Sequence, residues 1–297
     1  MTDPVHAPLL SVSDLTMRFG GIVALNDVSF EVERHSISAL IGPNGAGKTT
    51  VFNCLTGFYK ATEGAITLRT EREEINLVRE LGEGFRAGDF VNPAAFGERL
   101  YYKMFGGSHR VARAGVARTF QNVRLFREMT AMENLLVAQH MQLNRNLLSG
   151  VFNTQTYRQS ERNAVERAYA WLKVFSLEKD ANRLAGELPY GHQRRLEIAR
   201  AMCTGPRLLC LDEPAAGLNP RETYELSLLI RQLRDDHQVT VLLIEHHMGL
   251  VMDLSDYVVV LDYGEVIAAG EPQAVAHDPA VITAYLGAAD EDEEAAP

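Results

Sequence analysis

Hydrophobic and polar positions along this chain follow two different periods. Val28, Phe30 and Val32 alternate with Ser29, Glu31 and Glu33, the period of a strand with one buried face. Residues 9–41 as a whole read as strands and turns. Their last part, 37–41, is a short, mostly apolar strand that runs directly into a glycine-rich turn. A short helix is predicted over about 49–56, with Gly57 in the position of a helix-ending glycine. Residues 65–68 read as another strand. Beyond 186 the pattern predicts a helix over about 191–203, a strand over 208–211, a helix over 220–235, and strands over 241–244 and 258–261. Two helices opened by proline close the series, with Asp278-Pro279 as a cap and first-turn pair. Strands alternating with helices point to an α/β fold with a parallel sheet.

Two stretches depart from this alternation. Residues 124–186 read as helical: Thr130-Ala131-Met132-Glu133 fits a capping box, and Val165, Ala168, Leu172 and Phe175 share one helical face. Over 78–107 the pattern weakens. Glycine recurs at 82, 84, 88, 97, 106 and 107, with Phe90, Phe96, Tyr101, Tyr102 and Phe105 between. That segment is read as an ordered surface insertion with a short helix near 98–104.

Composition narrows the function classes. The chain has 297 residues, 46% hydrophobic, and a formal net charge of −10 from 29 basic and 39 acidic side chains. Nucleic-acid binding draws on concentrated positive charge, so no nucleic-acid partner is expected. Five acids from Asp290 to Glu294 read as part of a solvated, disordered tail over 288–297. Cys54, Cys203 and Cys210 have no metal-ligand spacing and sit among apolar residues, as small core hydrophobes do in a reducing compartment. No signal pattern opens the sequence, and no run approaches the ~18 apolar residues of a spanning helix. A membrane role would come through a partner.

Gly42-Pro43-Asn44-Gly45-Ala46-Gly47-Lys48-Thr49 fits G-x-x-x-x-G-K-[ST] at every fixed position, between a predicted strand and a predicted helix. The glycines let the backbone N–H groups wrap a polyphosphate, and the helix adds its positive end. Lys48 reaches the terminal phosphates, and the Thr49 hydroxyl can bind Mg²⁺. Leu208-Leu209-Cys210-Leu211-Asp212-Glu213 is an apolar strand ending in two acids. Asp212 suits Mg²⁺, directly or through water, and Glu213 beside it suits polarisation of an attacking water.

Leu188-Pro189-Tyr190-Gly191-His192-Gln193-Arg194-Arg195-Leu196-Glu197 adds a third element, which resembles the Leu-Ser-Gly-Gly-Gln signature of ABC ATPases. Pro189 replaces the usual serine and His192 the usual glutamine, so the serine hydroxyl contact is lost, while the backbone and helix-end contacts can survive. The resemblance runs from Phe19 to about Leu286. It implies a P-loop NTPase cassette with a RecA-like core, an antiparallel β-subdomain and a helical subdomain, in one domain over 9–287. It implies ATP and Mg²⁺ as cofactors and two cassettes facing head to tail, Gly191 of one closing over the γ-phosphate held by the other. By the same resemblance the nucleotide is held by Phe19, Gly42, Pro43, Asn44, Gly45, Ala46, Gly47, Lys48, Thr49, Thr50 and Gly191. Gln121 and His246 join Glu213 in catalysis, and Thr49, Gln121 and Asp212 face the metal. Phe19 has an alternative reading as a core residue of the β-subdomain, and His247 is read as incidental. Asn219, where aspartate is usual in the family, also reads with Pro220 and Glu222 as a helix cap.

Within the family, the chain is most similar to the ATP-binding subunit of branched-chain amino acid importers. The likeness rests on Phe19-Gly20-Gly21, on Ala117-Arg118-Thr119-Phe120-Gln121-Asn122-Val123-Arg124-Leu125-Phe126, on Arg194 to Ala201, on Ile244-Glu245-His246 and on Asp278-Pro279 to Gly287. It implies membrane permease subunits, a second ATPase subunit (identical or paralogous) and, indirectly, a solute-binding protein, with this chain on the cytoplasmic face of the membrane. Urea or amide importers, exporters, soluble ABC ATPases and a binding-only cassette are the competing readings.

Overall fold

A computed structural model describes residues 7–71, 73–82, 107–140 and 154–285. Among them, ten strands form two sheets. The first is antiparallel, in the order β2-β1-β4-β5: β1 is Leu10–Phe19, β2 Ile22–Val32, β4 Glu63–Arg69 and β5 Glu74–Asn76. The second runs β10-β9-β3-β8-β7-β6, where β3 is Ile37–Ile41, β6 Val116–Arg118, β7 Leu208–Asp212, β8 Thr240–Ile244, β9 Tyr257–Asp262 and β10 Glu265–Gly270. All its pairings are parallel except that of β10 with β9.

Every residue of β3, β7 and β8 is buried, which is why these strands are continuous apolar runs rather than alternating ones. The pleat still sorts them. Ile37, Ala39 and Ile41 enter the same core as Leu209, Leu211, Val241 and Leu243. Leu40, Cys210, Leu242 and Val259 enter the core shared with the antiparallel sheet. Truncating one such aliphatic residue to alanine typically costs about 2–5 kcal/mol. The central strands of the six-stranded sheet are thus clamped between two apolar layers, while the edge strand β10 stays part-exposed.

Helices fill both layers: α1 (Lys48–Leu55), α2 (Leu77–Glu80), α3 (Ser108–Ala114), α4 (Ala131–Ala138), α5 (Gln155–Val174), α6 (Tyr190–Met202), α7 (Pro220–Asp235), α8 (Met248–Leu254) and α9 (Pro272–Ala276), with residues 279–285 also helical. Thr130 and Glu133 form the expected capping box of α4, and Asn219 and Glu222 form a second at α7. In α5 the buried stripe is Ala164, Ala168 and Leu172, with Phe175 just beyond. Val165, expected on that face, is 44% exposed. Steps of four keep 164, 168 and 172 in one row, and residue 165 lies about 100° round the helix from it. The three-residue strands β5 and β6 are too short to show a period and were not expected; nor was β10, whose residues are only part-buried.

The insertion expected over 78–107 begins too early in that reading. Leu77 and Val78 are buried in the core of the antiparallel sheet. The chain leaves and returns at one place: the Gly107 N–H donates to the Glu80 carbonyl at 3.3 Å, and Arg110 pairs with the Glu80 carboxylate at 2.7 Å. The expected helix near 98–104 and the tail over 288–297 lie outside the described residues.

Candidate active site

Four neighbouring parallel strands, β3, β8, β7 and β6, deliver their carboxyl ends to one edge of the sheet, where ligand crevices of such sheets form. β3 leads into the glycine-rich loop, β6 towards Gln121, β7 into Asp212 and Glu213, and β8 towards His246.

The loop owes its shape to its glycines. Gly45 and Gly47 have φ of +79° and +101°, the left-handed region that glycine enters without strain. A Cβ on Gly42 would lie 2.0 Å from the Leu261 carbonyl oxygen, so β9 passes too close for any other residue. The loop enters α1 with Gly47 as the residue before it and no side-chain cap, leaving the first N–H groups for a ligand. A cavity of about 220 Å³ lies here, lined by Asn44 to Thr50, Glu213 and His246. Lys48 is buried, and its Nζ donates to the Gly42 and Pro43 carbonyls at 2.6 Å each. Burial lowers its pKa, while the nearby Glu213 charge opposes that shift.

Glu213 is the convergence point. Gln121 Nε2 donates to its Oε2 at 2.7 Å, and His246 Nε2 lies 2.7 Å from its Oε1. Its backbone has φ of +46°, a strained conformation for a residue with a Cβ, worth of order 1–3 kcal/mol. Its N–H is tied to the Ile244 carbonyl at 2.9 Å. The carboxylate is therefore aimed by the turn and held on both oxygens, at the mouth of the phosphate cavity.

Three residues to which the sequence reading gave no role organise this edge. Arg118 pairs with Asp212 Oδ2 at 2.7 Å, both side chains being nearly buried. Arg194 is fully buried. It donates to the carbonyls of Phe120 (2.7 Å), Gln121 (2.6 Å) and Glu213 (3.4 Å), and it pairs with Glu197 at 3.1 Å. Removing one partner of such a buried pair costs about 3–5 kcal/mol. Glu245, also buried, accepts from the N–H groups of Ala215 at 2.8 Å and His246 at 3.2 Å, and burial raises its pKa. For Arg118 the available signal was a charged residue among mostly apolar neighbours, Val116, Ala117 and Phe120, which demands a partner. Arg194, between Gln193 and Arg195, and Glu245, before His246 and His247, have polar neighbours and gave no such signal.

The other expected residues are spread around this centre. Thr49 is exposed at the start of α1. Phe19 is 42% exposed at a β-hairpin and packs edge-on against Tyr59 with centroids 5.2 Å apart. The core reading of Phe19 does not hold; its ring is accessible. Gly191 lies in the first turn of α6, outside the phosphate cavity's lining. His192 is drawn away to Asp180, at 2.9 Å. His247 caps α8, accepting from the Leu250 N–H at 3.0 Å. The three cysteines are buried, and burial pushes their thiols up to about 12.

Hard oxygen donors on Thr49, Gln121 and Asp212, beside a glycine cradle with an anchored lysine, suit Mg²⁺ and a polyphosphate in type. Comparison with known proteins agrees with nucleotide binding. The ABC transporter family model matches residues 25–216, and the model for branched-chain amino acid ATP-binding cassette transporters matches 265–291. The chain is 54% identical to the high-affinity branched-chain amino acid transport ATP-binding protein BraF of Pseudomonas aeruginosa, covering 95% of this chain and 99% of that one. It is 51% identical to the corresponding LivG protein of Escherichia coli K12 over the same shares. A solved ATP-binding cassette of an ABC transporter in its ADP conformation superposes with a TM-score of 0.73 at 29% identity, covering 95% of this chain and 99% of that one. The chain belongs to the ABC transporter family of ATPases, in its group of branched-chain amino acid transport ATP-binding proteins.

Proposed function

We propose that this chain binds and hydrolyses Mg-ATP to drive uptake of branched-chain amino acids through membrane permease subunits. The observation that carries the hydrolytic part is the grip of Gln121 and His246 on the two oxygens of Glu213, beside the Lys48 loop. The solute rests on the printed names of relatives that are 51–54% identical over nearly the whole chain.

Lys48 and the loop N–H groups hold the terminal phosphates. Glu213 takes a proton from the attacking water, typically worth about 10²–10⁴-fold in rate. Gln121 and His246 keep that carboxylate in place and complete the polar wall facing the transferred phosphoryl group. Thr49, Gln121 and Asp212 are the residues that would hold Mg²⁺, which when bound would offset the negative charge of the phosphates during transfer. Phe19 offers a face for the adenine ring.

Two chains act together, head to tail, with Gly191 and the start of α6 of one closing on the phosphates held by the other. Among the described residues no helix is long and apolar enough to cross a membrane. The permease therefore reaches the ATPase at its surface. The strongest support for a docking place is a mostly apolar cavity of about 360 Å³ lined by Phe58, Ala112, Arg118, Phe120, Ala138 and Ala201, next to Gln121. The chain then works on the cytoplasmic face of the membrane.

The test is reconstitution with the co-purifying permease and solute-binding protein in liposomes. Leucine, isoleucine or valine should accelerate ATP hydrolysis and enter the vesicles. Stimulation by urea or amides instead would overturn the solute, and ATPase-driven efflux would overturn the direction.

A further inference from the structure

We propose that Arg118 is a positioning residue that sets the Asp212 carboxylate for Mg²⁺ and ties it mechanically to the Phe58–Phe120 groove. This rests on the reading of Asp212 as a metal-side carboxylate.

The guanidinium spans three elements. One terminal nitrogen holds Asp212 Oδ2 at 2.7 Å, at the end of β7. The other donates to Asn53 Oδ1 at 2.6 Å and Thr56 Oγ1 at 3.2 Å, at the far end of the helix that begins with Lys48. Arg118 itself ends β6, directly upstream of Gln121. A planar fork can serve these sites at once, where a lysine ammonium cannot. The orientation of Asp212 is therefore set by a residue of the strand that leads to Gln121.

Three rings surround the same guanidinium. The Phe52, Phe58 and Phe120 centroids lie 5.6, 5.7 and 5.1 Å from its central carbon. Phe52 is core, but Phe58 is 54% exposed, and it packs edge-on to Phe120 at 5.7 Å. Phe58, Phe120 and Arg118 all line the apolar groove. Pressure on those rings reaches the guanidinium by direct contact, and the guanidinium holds Asp212. The groove and the metal side of the site thus share one side chain. A pair serving only the fold would not need an exposed aromatic lid on its cation.

The experiment uses the isolated full-length subunit, so the permease and solute readings do not enter it. Binding of a fluorescent ATP analogue is measured in EDTA and across a Mg²⁺ titration, with thermal unfolding alongside. Arg118→Lys should leave affinity in EDTA within about twofold and raise the half-saturating Mg²⁺ concentration about tenfold, the loss of one charged hydrogen bond. Phe58→Ala, at an exposed site that folding tolerates, should raise it about threefold, the loss of one cation–π contact. The double variant should match Arg118→Lys alone, because both act through the same guanidinium. Equal loss of binding with and without Mg²⁺ in Arg118→Lys would reduce the residue to a structural strut. An unshifted Mg²⁺ response in Phe58→Ala, or additive effects in the double variant, would overturn the link to the groove.

Discussion

Two segments of this chain place glycines at the start of a helix, and they are built differently. The phosphate loop carries its own lysine, its own left-handed glycines and its own cavity, with Glu213 and His246 beside it. The segment at the start of α6 has none of these. Pro189 precedes the helix with no side-chain cap, and His192 is occupied by Asp180. Gly191 is pressed against the Glu222 carboxylate, where a Cβ would lie 2.6 Å from Oε1. The first segment can bind a phosphate by itself. The second offers only backbone N–H groups and a helix end, which suffice when another molecule brings the phosphate to them. The difference fits the proposal that one grips and the other closes.

The largest expected effect falls on the gripping side. Glu213→Gln should slow hydrolysis about 10²–10⁴-fold, the usual worth of a general base, while calorimetry finds ATP binding intact. Hydrolysis at the parent rate would remove Glu213 from the mechanism. Lys48→Ala should weaken Mg-ATP binding about 10- to 100-fold, the loss of one or more charge-assisted hydrogen bonds. Equal affinity in the variant would undo the assignment of the loop.

On the closing side the effects are smaller. The Asn219 and Glu222 side chains cap α7 reciprocally at 3.0 Å each, and Glu222 also backs Gly191. Asn219→Ala should cost about 1 kcal/mol, as cap removals do, lowering the melting temperature by about 2–4 °C in calorimetry with ATP affinity unchanged. A loss of ATP affinity would mean that this side contributes to the grip after all. Smallest of all, replacing residues 83–106 by a short Gly/Ser linker should change ATP affinity by less than about twofold. The ends of that segment already meet at Glu80, Gly107 and Arg110, so the closure entropy involved is small. Loss of binding together with unfolding would place the segment in the core.

The legibility of the sequence divides along the same line. The phosphate loop was readable because each of its positions answers a local demand: a glycine for a turn, a lysine for a phosphate, a strand before and a helix after. β3, β7 and β8 were readable because burial on both faces leaves continuous apolar runs. Gln121, Gly191 and His246 were not readable from local chemistry. They were placed by family resemblance, and only the fold brings Gln121 and His246 onto the two oxygens of Glu213. Arg118 and Arg194 went unassigned because the partners that tie them to this edge are distant in sequence: Asp212 lies 94 residues from Arg118, and the Phe120, Gln121 and Glu213 carbonyls lie 74, 73 and 19 residues from Arg194. Val165 was misplaced because two stripes of α5 fit the same apolar spacing, and the pairing with α4 and α6 selects the one that holds Ala164, Ala168 and Leu172.

The central claim is that the nucleotide site is shared, with the loop acting within its own subunit and Gly191 acting on the other's nucleotide. Mixing two impaired variants tests it most directly. Lys48→Ala lacks the grip, and Gly191→Ala lacks the closing surface. A dimer of one with the other contains one site in which both native segments meet. ATP hydrolysis by the mixed preparation should therefore rise well above the sum of the two measured apart, and the gain should peak at equal amounts. Hydrolysis that stays at that sum at every ratio, with mixed dimers verified by co-purification, would contradict a shared site.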